Sequence, residues 1–191
     1  MKRVYVNYER CIGCRHCEIA CAIEHSNSKN ILSFIYEEPV PKSFIKIETH
    51  SFGYTYPINC RHCELPLCMN VCPMHAIRKE DETVLVDPDL CIGCGMCAMA
   101  CPFGMITISE THIKRKVAIK CDGCKERKHV GKVPACVEAC KTKALVYESL
   151  DEYEEKKRKR LICGIEEPLK QKLPEEILTW KEYLKELNSL L

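Results

Sequence analysis

The chain has 191 residues, a formal charge of +2 and only 7% aromatic residues, too little large apolar surface for a conventional core without a staple. Its seventeen cysteines are odd in number and gathered in tight groups, which argues against a secreted disulfide scaffold. No apolar run approaches the roughly 18–20 residues of a membrane span, and no phosphate loop, hydrolase motif or other catalytic constellation occurs.

In chain order, Val4-Tyr5-Val6 reads as a strand, and cysteine motifs begin by residue 11. That leaves no room for a signal peptide, so a reducing cytoplasm is the expected location. The first quartet is Cys11-x2-Cys14-x2-Cys17-x3-Cys21. A longer insert follows, with alternation in Phe44–Glu48 and Phe52–Tyr56 around a turn, which predicts a hairpin. The second quartet is Cys60-x2-Cys63-x4-Cys68-x3-Cys72, followed by Pro73. Val84-Leu85-Val86 is the next strand. The third quartet is Cys91-x2-Cys94-x2-Cys97-x3-Cys101, followed by Pro102, and Met105–Ile108 is strand-like. The fourth is Cys121-x2-Cys124-x11-Cys136-x3-Cys140, and Ala144–Tyr147 is a strand suited to pair with Val4–Val6. A charged helix is expected over Asp151–Arg160, with Glu152/Lys156, Glu154/Arg158 and Glu155/Lys159 four apart. A second helix starts at Pro174 and carries a stripe of Ile177, Trp180, Leu184, Leu187 and Leu191.

Each quartet has a front pair two residues apart and a rear pair three apart. Three thiolates on one C-x2-C-x2-C loop suit three irons of a 4Fe-4S cubane and strain a tetrahedral zinc ion. The fourth cysteine is expected to begin the helix that follows, point away from its own loop and complete the other cluster of a pair. Quartets therefore come in twos. The second and third both end Cys-Pro with a short separation, so they form one unit; the first and fourth form the other. The predicted sets are Cys11, Cys14, Cys17 and Cys140; Cys121, Cys124, Cys136 and Cys21; Cys60, Cys63, Cys68 and Cys101; and Cys91, Cys94, Cys97 and Cys72.

The predicted fold class is α+β: two bacterial-ferredoxin-like dicluster units, one inserted in the other, with short strands and helices and a C-terminal helical tail. The four-cluster domain spans 1–150, with an inner unit at about 56–112 and an outer unit at about 1–25 plus 113–150. The tail is 151–191. Iron enters only through the sixteen cysteines, and no residue is expected to be catalytic. With thiolates in place of thiols the assembled charge falls to roughly −6, which weakens any nucleic-acid argument drawn from the lysines. His16 and His62 lie inside cluster loops and are expected to tune potential by hydrogen bonding or to be exposed. Met96, Met99 and Met105 are expected to pack around clusters. Cys163 lies outside every quartet and is expected to be a free thiol. The C-terminal stripe packs on its own domain or docks on a partner.

The four-quartet order resembles the iron–sulfur subunit family that serves molybdenum, tungsten, hydrogenase and carbon monoxide dehydrogenase systems. Within that family, Cys11-Ile12-Gly13-Cys14-Arg15-His16-Cys17-Glu18-Ile19-Ala20-Cys21-Ala22-Ile23-Glu24-His25-Ser26 is similar to carbon monoxide dehydrogenase iron–sulfur subunits, as are Ser28-Lys29-Asn30 and Cys60-Arg61-His62-Cys63-Glu64. The resemblance covers residues 1–150 and implies a non-catalytic electron-transfer subunit with four 4Fe-4S clusters. It implies a redox enzyme as donor, carbon monoxide dehydrogenase foremost, and a hydrogenase or flavin/NAD oxidoreductase as acceptor. The alternatives are the small subunit of a tungsten aldehyde oxidoreductase, a formate dehydrogenase or hydrogenlyase, and, from a different class, a cluster-bearing sensor. No nucleic-acid partner and no direct membrane insertion are expected.

Overall fold

The computed structural model describes residues 2–51, 53–111 and 114–170, the side chains as far as 163. The chain divides into two units, Met1–Glu148 and Ser149–Leu191.

Among the described residues of the first unit the strands make four separate two-stranded sheets. β1 (Lys2–Val6) pairs with β8 (Leu145–Ser149), the two strands expected to meet, and Asn7 N–H donates to Ala144 O at 2.7 Å beside them. β2 (Ile45–Thr49) and β3 (Thr55–Asn59) form the predicted antiparallel hairpin. Its second strand lies further along the chain than Phe52–Tyr56. Burial sets that register: Ile45 and Ile47 face Asn59 and Pro57 across the pair, and all four are buried. Phe52 lies outside the described residues.

β4 (Ile77–Glu80) pairs with β5 (Thr83–Val86), and β6 (Thr107–Glu110) with β7 (Lys116–Ile119). β4 and β7 are additions to the sequence reading. β6 begins two residues later than Met105, because Met105 and Ile106 turn inward and are buried.

The α-helices of this unit are short, and all but one carry cysteines. α1 (His16–Glu24) holds Cys17 and Cys21, α2 (Leu67–Asn70) holds Cys68, and α3 (Met96–Ala100) holds Cys97. α4 (Lys125–His129) follows Cys124, and α5 (Ala135–Ala139) holds Cys136. The helix therefore starts around the third cysteine of the first three quartets, and not at the fourth as expected. In α1 the rear pair Cys17 and Cys21 is four positions apart, about one helical turn, on one face, whereas Cys101 and Cys140 follow α3 and α5 in extended backbone. α1 packs on α5 and α2 packs on α3.

Two cores result. Val6, Ile45, Ile47 and Leu145 surround Cys17 and Cys21, with Cys11, Cys136 and Cys140 packed against them. Ile77, Val84, Ile106 and Ala118 surround Cys97, with Cys68, Cys72, Cys91 and Cys101 at the edge. Much of the apolar wall is therefore cysteine, which is how a chain so poor in aromatics fills its interior.

The second unit holds α6 (Leu150–Lys170). Its start is a reciprocal cap: Ser149 N–H donates to the Glu152 carboxylate at 2.9 Å, and Glu152 N–H donates to Ser149 Oγ at 3.3 Å. The expected pairs Glu154/Arg158 and Glu155/Lys159 form at 3.7 and 2.6 Å. Cys163 is an exposed free thiol on this helix. The stripe from Ile177 to Leu191 lies outside the described residues. No helix among the described residues is long and apolar enough to cross a membrane.

Candidate iron–sulfur centres

Each front pair sits on a loop that reverses the chain around its sulfurs. Gly13, Gly93 and Gly123, at the third position of three of these loops, have φ of +69°, +68° and +69°. At Gly93 a Cβ would stand 2.5 Å from the Lys116 carbonyl oxygen, so both backbone and space demand glycine. In the second loop the same position is His62, with φ +45°. A non-glycine residue held there costs roughly 1–3 kcal/mol.

The structure gathers the cysteines across quartets. Cys72 lines one narrow cavity with Cys91, Cys94 and Cys97. Cys21 lines a cavity of about 330 Å³ with Cys121, Cys124 and Cys136, and Cys60 borders the same space. Cys11 and Cys17 share the first core with Cys140, and Cys68 shares the second with Cys101. Cys63 is partly exposed in the second loop, while Cys14 and Cys94 alone among the sixteen are exposed.

Electrostatics show why these thiols need a cation. Burial pushes the Cys17 thiol up to about 12, and the neighbouring Cys140 and Cys11 push the same way. Burial likewise raises Cys136, with Cys21 and Cys124 adding to it, and raises Cys97, with Cys91 and Cys72 adding. Cys68 is raised by burial against the opposing charge of Lys120, with Cys60 and Cys101 adding to the rise. Crowded thiols of this kind ionise only when a metal supplies the compensating charge. Backbone amides are already aimed at them: Phe44 N–H at Cys21 Sγ (3.3 Å), Ala118 and Gly93 at Cys91 Sγ (3.3 and 3.4 Å), Gly123 at Cys121 Sγ (3.3 Å) and Leu145 at Cys140 Sγ (3.4 Å). Such donors favour the thiolate. Thiol-lined cavities with inward amides fit a 4Fe-4S cluster.

A charged joint ties the loops together. His25 donates from Nε2 to the Asp122 carboxylate at 2.9 Å and from Nδ1 to Cys21 O at 2.7 Å. Burial works against the charge on His25, but Asp122 and Cys21 outweigh it and hold its pKa near 11. Asp122 is pulled to about 2, its burial overcome by His25. Arg127 reaches Glu24 at 2.9 Å and also contacts Glu138, clamping α1, α4 and α5. Lys120 is buried, donates to Cys121 O at 2.7 Å and to Val84 O, and pairs with no carboxylate among the described residues. His25, Asp122 and Lys120 escaped the sequence reading, because their partners lie 97, 97 and 36 positions away.

Of the two histidines singled out by sequence, His16 is exposed. His62 is half-buried, accepts from Val84 N–H at Nδ1 (3.1 Å), and has its pKa pushed down to about 3 by burial and then by Lys120 and Lys128. Among these three methionines only Met105 is buried; Met96 and Met99 face solvent, which corrects their expected packing role. Met99 falls between Cys97 and Cys101 on the turn of α3 opposite the sulfurs.

Residues 51–150 match the 4Fe-4S dicluster domain and residues 8–22 a 4Fe-4S binding domain. The chain is 40% identical to an iron–sulfur protein of Rhodospirillum rubrum, over 78% of this chain and 83% of that one. It is 40% identical to the B subunit of anaerobic dimethyl sulfoxide reductase from Escherichia coli, over 80% and 75% of the two sequences. The B subunit of the same reductase from Haemophilus influenzae is 36% identical, over 78% and 74%. The chain therefore belongs to the 4Fe-4S dicluster, ferredoxin-like iron–sulfur protein family that includes the dimethyl sulfoxide reductase B subunit.

Proposed function

We propose that this chain is the electron-transfer subunit of an oxidoreductase complex and holds four 4Fe-4S clusters. The ligand sets are Cys11, Cys14, Cys17 and Cys140; Cys121, Cys124, Cys136 and Cys21; Cys60, Cys63, Cys68 and Cys101; and Cys91, Cys94, Cys97 and Cys72. The observation that carries this reading is the exchange of rear cysteines: each of two cavities is lined by three cysteines of one quartet and the last cysteine of another. The packing of α1 on α5 and of α2 on α3 supports the same pairing, with residues of about 56–112 inserted in the outer unit. When bound, each cluster takes up one electron and passes it on.

The protein sets the order and the access. Cys60 borders the cavity of Cys21, Cys121, Cys124 and Cys136, which supports a row with the sets of Cys11 and Cys91 at its two ends. The only exposed cysteines of the four quartets, Cys14 and Cys94, belong to those end sets. Ile12 stands exposed beside the first and Ile92, Met96 and Met99 beside the second, offering two apolar landings for redox partners.

The relatives named as B subunits of dimethyl sulfoxide reductase favour a catalytic reductase subunit as one partner. Carbon monoxide dehydrogenase as donor is the second reading and rests on the motif resemblance at residues 11–26, 28–30 and 60–64 alone. Sixteen cysteines kept as thiolates favour a reducing, cytoplasmic setting.

Anaerobic purification followed by metal analysis tests the cluster count: about sixteen irons and sixteen sulfides per chain are expected, and stoichiometric zinc rejects it. For the partner, the dithionite-reduced protein should be reoxidised by a dimethyl sulfoxide reductase catalytic subunit plus sulfoxide. Bleaching of the oxidised protein by carbon monoxide and its dehydrogenase, with no sulfoxide-driven reoxidation, assigns the second reading instead.

A further inference from the structure

One loop of the four carries a side chain where the others carry none. His62 occupies the left-handed position that is Gly13, Gly93 and Gly123 elsewhere. Glycine would hold that backbone without strain, so the imidazole has a use that outweighs it.

The ring is oriented by a single contact. Val84 N–H donates to Nδ1 at 3.1 Å, so Nδ1 keeps its lone pair and the proton of the neutral ring is on Nε2. That Nε2 is buried, and none of the described residues accepts from it. A buried N–H without an acceptor is rare and costly. His62 borders the cavity lined by Cys21, Cys121, Cys124 and Cys136, although it rides on the loop between Cys60 and Cys63. The cations around it cannot accept: Lys120, which donates to Val84 O, Lys128, which donates to Thr83 Oγ1 at 3.2 Å, and Arg3; the anion that acts on it is Asp122. Asp122 Oδ1 accepts from His25 and from Cys124 N–H, and the carboxylate is not within hydrogen-bond reach of His62 Nε2. The wall also carries the oxygens of Asn59, Thr83, Glu80, Asp81 and Glu82, none within hydrogen-bond reach of Nε2, and the sulfurs of a cluster held by Cys21, Cys121, Cys124 and Cys136 would add acceptors inside the cavity itself.

We propose that His62 donates its Nε2–H to a sulfur of the cluster held by Cys21, Cys121, Cys124 and Cys136, linking that cluster to the loop of its neighbour across the joint. The proposal rests on the four-cluster reading. Reduction adds one electron, received from the adjacent cluster and returned to the next; no covalent bond forms or breaks, and the proton stays on Nε2. A donated hydrogen bond stabilises the more negative, reduced state, so it raises that cluster's potential. His62 is a positioning and tuning residue, and no ligand.

The test compares wild type, His62→Gly and His62→Asn as full chains with clusters assembled anaerobically. Glycine restores the loop of the other three quartets, and asparagine tolerates the left-handed backbone but is too short to reach. Iron content is measured first, then the potentials by redox titration with electron paramagnetic resonance. Both variants should keep wild-type iron and show one of the four one-electron steps made about tenfold less favourable, equivalent to about 59 mV. The shifted step should be the one altered in Cys121→Ala, and the histidine nitrogen coupling to that cluster should weaken in pulsed spectra. Four unmoved steps at full iron overturn the role of His62, as expected if the ring only meets a water shared with Asn59 Oδ1, which also lacks a partner. An equal shift of all four steps overturns it too. Wild type without four clusters rejects the underlying reading instead.

Discussion

The two outward loops and the joint between the cores treat the same residue type in opposite ways. Around Cys14 and Cys94 the thiol is exposed, neighbouring backbone turns on glycine, and Met99 is left 76% exposed at the surface. Around Cys21 and Cys124 the thiols are buried, and Lys120 is only 6% exposed with no carboxylate beside it among the described residues. An ammonium buried without a counter-ion costs several kcal/mol, so the anion that balances Lys120 has to come from the neighbouring thiolates. The contrast teaches a division between open loops and a joint of buried thiols and a buried cation; under the proposed function, partners would meet the first and electrons would cross the second.

The largest effect should come from breaking the joint covalently. Cys21→Ala should lose or convert to a three-iron form the cluster of Cys121, Cys124 and Cys136, while the set next to Cys21 in sequence survives. Paramagnetic resonance decides it: Cys21→Ala and Cys121→Ala should alter the same signal, and Cys11→Ala another. Next in size is Gly93→Ala at an open loop. The left-handed backbone costs about 1–2 kcal/mol, and the clash with Lys116 O about 1–3 kcal/mol more. The Cys91 cluster should become labile, seen as faster iron release to a chelator, with the other three unaffected.

Much of this division was legible in the spacing of cysteines, because a ligand loop is local. Gly13, Gly93 and Gly123 recur in C-x-G-C, and β1 and β5 show as short β-branched runs beside them. The joint was not legible. Lys120 sits in Ile119-Lys120-Cys121 like any surface lysine, and its burial depends on Val84 arriving from another sheet. β4 was missed since Ile77-Arg78-Lys79-Glu80 is mostly charged; it is held as a strand by the register of Lys79 on Val84 and by Arg78 on Asp87 at 2.9 Å. The cap at Ser149 was available as Ser-x-x-Glu.

Charge at the joint gives a mid-sized effect. Lys120→Met keeps much of the volume and removes the ammonium. Since the reduced cluster is the more negative form, loss of the cation should lower the potentials of the two clusters flanking the joint by about 59 mV or more, a tenfold change in each equilibrium. Lys120→Arg should restore much of it. Unchanged potentials at full iron content would make Lys120 a purely structural tie through Val84 O.

The open loops offer the smallest and most selective perturbation. Met99 projects from the surface beside Cys97, whereas Ile92, though exposed, also lines the cavity of Cys72, Cys91, Cys94 and Cys97. A charge placed at Met99 sits in high-dielectric solvent, so it should move the nearest cluster potential less than loss of the buried Lys120 does. What changes is the fit of an apolar landing to a partner. Met99→Lys should therefore slow electron exchange with one redox partner by about tenfold, on the order of 1.4 kcal/mol, and Ile12→Lys should slow exchange with the other. Stopped-flow reduction and reoxidation, run separately for each variant, measure the two ends independently. If both substitutions slowed the same half-reaction, the two loops would share one partner, and the row would have to be left from the joint instead of from its far end.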